Sequence, residues 1–159
     1  MAKVERFGPF GAEFDLAEGT MREPDNVVVR RASDMRGYYA DNEALEALVR
    51  GSEDPIHYRV YELSIPEERG HLRVVVSELL PGKVAGEYFM TKGHYHEVPE
   101  TAEVYLCLRG GGYMMMKSAD GRCVEEPMEP GRMVYVPPHW AHRSINVSDE
   151  PLVSFCVYP

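Results

Sequence analysis

From residue 56 onward the apolar residues come in short runs with a period near two. Residues 56–65 (IHYRVYELSI), 72–80 (LRVVVSELL), 87–91 (EYFMT), 102–110 (AEVYLCLRG), 113–118 (YMMMKS), 133–137 (MVYVP) and 152–159 (LVSFCVYP) are rich in Val, Tyr, Phe and Leu, the composition of strands. Turn residues separate them, at Pro81-Gly82, Gly110 to Gly112, Asp120-Gly121, Pro130-Gly131 and Pro137-Pro138. One segment reads as a helix: in DNEALEALVRG, Asp41 is a candidate N-cap, Glu43 sits in the first turn, Leu45 and Leu48 are three apart, and Gly51 marks the stop. The order predicts a mainly β fold, an antiparallel sandwich or barrel over residues 56–159. An N-terminal arm over residues 1–55 carries the helix and one more strand around VVVRR, within the same domain.

Some runs are apolar at both parities. In AEVYLCLRG, Val104, Leu106 and Leu108 alternate with Tyr105 and Cys107, so neither face suits water and the sheet needs a cover. The arm or a second subunit would provide it, and a homodimer is the expectation. Met114 to Met116 read as adaptable packing rather than as ligands.

The 159 residues, 44% of them hydrophobic, suffice for one core and not for two full domains. A formal charge of -9 disfavours binding to nucleic-acid phosphates or anionic lipid by bulk electrostatics. No run is long enough to span a membrane and the first twenty residues lack the apolar centre of a signal peptide, so a soluble cytoplasmic protein is expected. Cys107, Cys123 and Cys156 are odd in number and widely spaced, and read as reduced thiols.

Four of the six histidines fall in two short stretches, KGHYHE (His94, His96) and PPHWAHR (His139, His142). Two histidines at i and i+2 on a strand share a face, and a third nitrogen from across the barrel would complete a metal-binding set. Of the acidic residues that follow, Glu97 adjoins His96 and should face away, and Glu100 follows Pro99 in a turn. Glu103 lies in a strand with the parity of Tyr105 and Cys107 and is preferred as the carboxylate ligand, with Glu100 as fallback. Three nitrogens and one carboxylate suit Fe(II), Mn(II), Ni(II) or Zn(II), leave two positions open on a six-coordinate ion, and keep a net positive charge of one.

The segments PGK (81–83), TKGHYH (91–96), AEVYLCLRGGGYMMM (102–116) and MEPGRMVYVPPHWAHRSINVSDEPL (128–152) resemble the two motifs of the cupins. With RRASDMRGYY (30–39) and DPIHYRVYE (54–62), they are similar along nearly the whole chain to the cupin-type glucose-6-phosphate isomerases. The resemblance implies a single cupin barrel, a jelly-roll or double-stranded β-helix. It also implies a homodimer in glycolysis and gluconeogenesis, interconverting glucose 6-phosphate and fructose 6-phosphate. One divalent ion per subunit, Fe(II) in the first instance, would be held by His94, His96, Glu103 and His142. Tyr58, Ser77, Thr91 and Gly93 match residues that contact the sugar phosphate, and Tyr105 matches a residue close to the reacting carbons. Lys92 would add charge beside them.

Two features depart from the family pattern. His139 stands where an aromatic Tyr is usual before the Trp, and the chain stops at Tyr158-Pro159 where relatives continue, so a differently shaped or more open pocket is expected. A cis-enediolate route with Glu103 as base and Tyr105 assisting proton exchange between the oxygens is the expected mechanism, with a hydride shift as its rival. The other readings are another sugar-phosphate isomerase or epimerase, an Fe(II) dioxygenase, and a sugar-binding cupin without activity.

Overall fold

The computed structural model describes residues 6, 8–15 and 17–159. Strands β1 (Phe14–Asp15), β2 (Thr20–Met21) and β3 (Asn26–Arg31) lead through a 3-10 turn at Ala32–Met35 to helix α1 (Asn42–Gly51). Then come β4 (Ile56–Glu62), β5 (Arg73–Leu79), β6 (Lys83–Val84), β7 (Glu87–Tyr88), β8 (Glu103–Arg109), β9 (Gly112–Ser118), β10 (Cys123–Met128), β11 (Met133–Val136), β12 (Trp140–Asn146) and β13 (Leu152–Tyr158). One sheet of six strands runs β11-β8-β13-β5-β4-β3 and faces a second of order β10-β9-β12, every pairing antiparallel.

Alternation sets which side chains fill the space between the sheets. On β8, Glu103, Tyr105 and Cys107 are buried while Val104, Leu106 and Leu108 are half-buried, so the parity expected from the sequence holds. Met114, Met116, Met128, Val134, Val136 and Leu152 join Tyr105 and Cys107 in one core, as expected for the Met run. Gly112 is required where β9 meets β12, because a Cβ there would sit 2.1 Å from the Ile145 carbonyl oxygen.

The outer face of the large sheet is covered in part by the arm. Met21 packs with Leu63, Val76 and Val153, and Phe14 meets Phe155 edge to face at 5.3 Å between ring centroids. Burying the four side chains Met21, Leu63, Val76 and Val153 at about 1.5–3 kcal/mol each outweighs any single surface contact in holding the arm down. The helix begins as expected, with the Asp41 carboxylate accepting from the Ala44 N–H at 2.8 Å, but it runs through Gly51 and closes where the Ser52 N–H reaches the Leu48 carbonyl.

Five strands escape sequence reading, the two-residue β1, β2 and β6 and the longer β10 and β12. β10 (CVEEPM) is mostly exposed and carries Pro127, as suits an edge. β12 (WAHRSIN) has polar residues facing inward, where alternation of apolar residues gives no sign of it: His142, Ser144 and Asn146 are its buried positions. Asn146 is fully buried and satisfied, donating to the carbonyls of Leu79 and Glu150 at 2.9 Å.

Candidate metal centre

Of the strand expected over 87–91 only Glu87–Tyr88 forms, as β7, and the segment from there to Glu103, which holds the HxH pair expected on one strand face, is not regular strand. Instead the chain touches β12 through two isolated bridges, Met90 with Ile145 and His94 with His142. Four steps on one side match three on the other, so the segment contains a bulge, and Gly93 at φ +73° takes it up. A Cβ at Gly93 would crowd the Arg143 side chain and the His142 carbonyl at 3.0–3.1 Å. The ladder position that the bulge leaves open is filled by a side chain: the Ser144 N–H donates to the Thr91 hydroxyl at 3.1 Å. His96 lies beyond the last bridge, in irregular chain, so strand parity is not what turns it toward His94.

What turns it is Thr101. His96 Nδ1 lies 3.0 Å from the Thr101 carbonyl oxygen and 2.8 Å from its hydroxyl, and that hydroxyl spends its own proton on the Val98 carbonyl at 2.7 Å. A carbonyl only accepts, so Nδ1 carries a hydrogen, which leaves Nε2 as the nitrogen the ring turns to the interior for a ligand. There it faces Glu103 Oε2 at 3.1 Å. His142 Nε2 lies 3.0 Å from the same oxygen, held by the β12–β9 ladder rather than by a partner on its Nδ1, which has none among the described residues. His94 completes the group, its ring centroid 4.6 Å from that of His142, and the four potential ligand atoms lie within 4.8 Å of one another.

An imidazole nitrogen and a carboxylate oxygen at 3.1 Å are bridged by a proton or by a cation, and the four-residue cluster has the donor set to hold a metal ion there. Donors about 2.1 Å from one ion, at right angles to each other, stand about 3 Å apart, which is the spacing of Glu103 Oε2 from both imidazoles. His94 keeps much of its surface at the mouth of the site. The ring side turned inward loses water and lies beside His142, which lowers its pKa below the usual 6.5 and favours the neutral form that a metal needs. Glu97 and Glu100 are exposed, and the fallback ligand is not part of the cluster.

The cluster opens into a cavity of ≈ 290 Å³ between the sheets. Tyr58, Ser77, Thr91 and Gly93 all line it, together with Tyr105, whose hydroxyl is 3.1 Å from His142 Nε2. Burial raises the Tyr105 pKa well above 10, so the phenol keeps its proton. Arg30, Lys92, Cys156 and Tyr158 line the same space. Tyr158 has the parity of Cys156 on β13, a signal the sequence offers, whereas nothing in the sequence marks Thr101. Burial also drives the Cys156 thiol well above 9, away from the reactive thiolate. His139 is exposed with φ +67° and does not line this cavity. Among the described residues no helix is long and apolar enough to cross a membrane.

Comparison with known proteins agrees with this geometry. The glucose-6-phosphate isomerase of Thermococcus gammatolerans is 46% identical over 151 residues, which is 95% of this chain and 78% of that protein. That of Pyrococcus abyssi is 45% identical over 95% of this chain and 79% of its own length. The putative glucose-6-phosphate isomerase 1 of Rhizobium meliloti is 36% identical over 96% of this chain and 72% of its own length. Among solved structures, an oxalate decarboxylase superposes with TM-score 0.52 at 24% identity, covering 64% of this chain and 26% of that one. A cupin domain from Schizosaccharomyces pombe superposes with TM-score 0.50 at 12% identity, over 64% of each chain. Those two likenesses speak for the cupin fold alone. Residues 29–159 match the model of the glucose-6-phosphate isomerase (GPI) family, and with relatives this similar over most of their length the chain belongs to that family, in its cupin form.

Proposed function

We propose that the chain interconverts glucose 6-phosphate and fructose 6-phosphate with one divalent metal ion held by His94, His96, Glu103 and His142. The observation that carries the metal half of this reading is the convergence of one ligand atom from each of His94, His96, Glu103 and His142 within 4.8 Å, with His96 Nε2 and His142 Nε2 at 3.1 and 3.0 Å from Glu103 Oε2. When bound, the ion would supply Lewis-acid stabilisation for negative charge on two neighbouring substrate oxygens. Fe(II) is the ion we expect, and Mn(II), Ni(II) and Zn(II) suit the same donors.

The side chains supply the remaining steps. Glu103 Oε2 faces the imidazoles, which leaves its other oxygen as the base that takes the proton from C2 and returns it at C1 through a cis-enediolate. Tyr105, kept neutral by burial, passes a proton between O1 and O2. Tyr58, Ser77, Thr91 and Gly93 hold the phosphate with hydroxyls and a backbone N–H, and Val28, Val60 and Val75 keep that space dry. A cytoplasmic homodimer completes the reading.

Isomerisation in deuterated water tests the proton route. Solvent deuterium at the product carbon is the expected result. Its complete absence, at every temperature at which the enzyme turns over, favours a hydride shift and removes Glu103 from the role of base.

A further inference from the structure

Strand β3 is one edge of the large sheet among the described residues, and it turns Val28 and Arg30 into the cavity while Val27 and Val29 face out, 39% and 38% exposed. Arg30 pairs in register with Tyr58, and its guanidinium lies against the Tyr58 hydroxyl, which also faces the Lys92 backbone N–H. Arg30 is half-buried, and among the described residues no carboxylate pairs with it. The carboxylate that lines the same cavity from a neighbouring strand, Glu62, is taken by Asn26 Nδ2 at 2.6 Å and by Arg73 at 3.5 Å. Lys92, the other cation of the cavity, is held over the Tyr38 ring at 5.4 Å.

A guanidinium partly removed from water without a counter-ion is costly, and the cost is recovered when an anion enters. We propose that Arg30 is the charge anchor of the substrate phosphate, the residue by which the site distinguishes a phosphorylated sugar from a free one. The inference rests on the isomerase reading and adds to it a residue from the arm. Its planar fork of N–H donors matches phosphate oxygens in a way that the hydroxyls of Ser77 and Thr91 do not. The local charge also matters because the chain as a whole carries -9 and repels a dianion. Lys92, a point charge on a flexible stem above Tyr38, serves to draw the phosphate in rather than to orient it.

The test uses metal-loaded full-length protein, with Arg30→Gln and Arg30→Lys compared in glucose 6-phosphate turnover and in inhibition by inorganic phosphate. Arg30→Gln should raise both KM and the phosphate inhibition constant by roughly 10- to 100-fold, with a much smaller change in kcat and unchanged metal content, and Arg30→Lys should fall between. Unchanged KM and inhibition constant in folded Arg30→Gln overturn the proposal. A fall in kcat at constant KM also overturns it, since that is the mark of a structural disturbance. If Arg30→Gln does not fold, Arg30→Lys decides by the same two constants. Calorimetric titration of inorganic phosphate into wild type and variant separates this inference from the isomerase reading. Weaker phosphate binding in the variant supports Arg30 even if the wild type proves inactive on glucose 6-phosphate, and equal binding refutes it.

Discussion

The two ends of the cavity are built from different materials. At the metal end, Glu103 and Tyr105 project from β8, which has ladder partners on both sides, and His142 from β12, laddered to β9; they are 3%, 8% and 3% exposed, while His94 and His96 come from the irregular segment beside β12. At the other end, Arg30 comes from an edge strand, Thr91 and Gly93 from a bulged segment with only bridge contacts, and Lys92 from the same segment. A ligand set tolerates errors of only tenths of an ångström, so Glu103 and His142 sit on laddered strands, and His96, on irregular chain, is fixed instead through Thr101. A phosphate accepts many donors over a wide range of geometry, and irregular chain offers it free N–H groups that a ladder would have consumed.

The two ends should therefore fail in different ways. Glu103→Gln should cost the most, lowering kcat by about 10²–10⁴-fold with loss of bound metal, read by steady-state kinetics and metal analysis. An increase in KM alone would erase the distinction between the ends. Gly93→Ala strains a φ of +73° against Arg143 and His142, so it should raise KM about tenfold or more and destabilise the fold by roughly 1–3 kcal/mol, read by kinetics and chemical denaturation. Thr101→Val removes one of the two acceptors of His96 Nδ1–H and keeps the carbonyl, so metal affinity should weaken by about tenfold with little change in melting temperature.

The effect that leaves activity at neutral pH unchanged concerns the scaffold behind the phosphate end. His57 is fully buried, stacked on Phe89 at 3.6 Å, with its Nε2 3.0 Å from the Tyr39 hydroxyl, and burial holds its pKa at about 4. The unfolded chain takes up a proton at about 6.5 that the folded chain refuses until about 4. Stability from this residue is therefore complete above pH 6.5 and lost as pH falls toward 4, by up to about 3 kcal/mol. Denaturation midpoints between those pH values should flatten in His57→Gln. The lowered carboxylates of Asp25 and Asp54 act in a different window, below their usual 3.8.

The sequence discloses the regular half of this molecule better than the irregular half. Apolar alternation marks β4, β5, β8 and β13, and parity alone turns Glu103 inward with Tyr105 and Cys107. It misses β12, because that strand buries a histidine, a serine and an asparagine, whose burial depends on partners brought by other strands. It also assigns His96 to a strand that does not exist, since the contact that orients the ring comes from Thr101, across a loop whose path no periodicity encodes. Arg30 was within reach, sharing the parity of Val28, but an arginine on an edge strand ordinarily faces water, and only the fold shows that this one faces the cavity.

The most direct test of the account is metal content and activity on one preparation: wild type and His142→Ala, assayed for glucose 6-phosphate isomerisation before chelation, after it, and after readdition of Fe(II), Mn(II), Ni(II) or Zn(II). The account predicts about one ion per wild-type chain, activity lost on chelation and recovered with a divalent ion, and neither ion nor recovery in a folded His142→Ala. Full activity in exhaustively chelated wild-type protein, or unchanged metal content in His142→Ala, would contradict it.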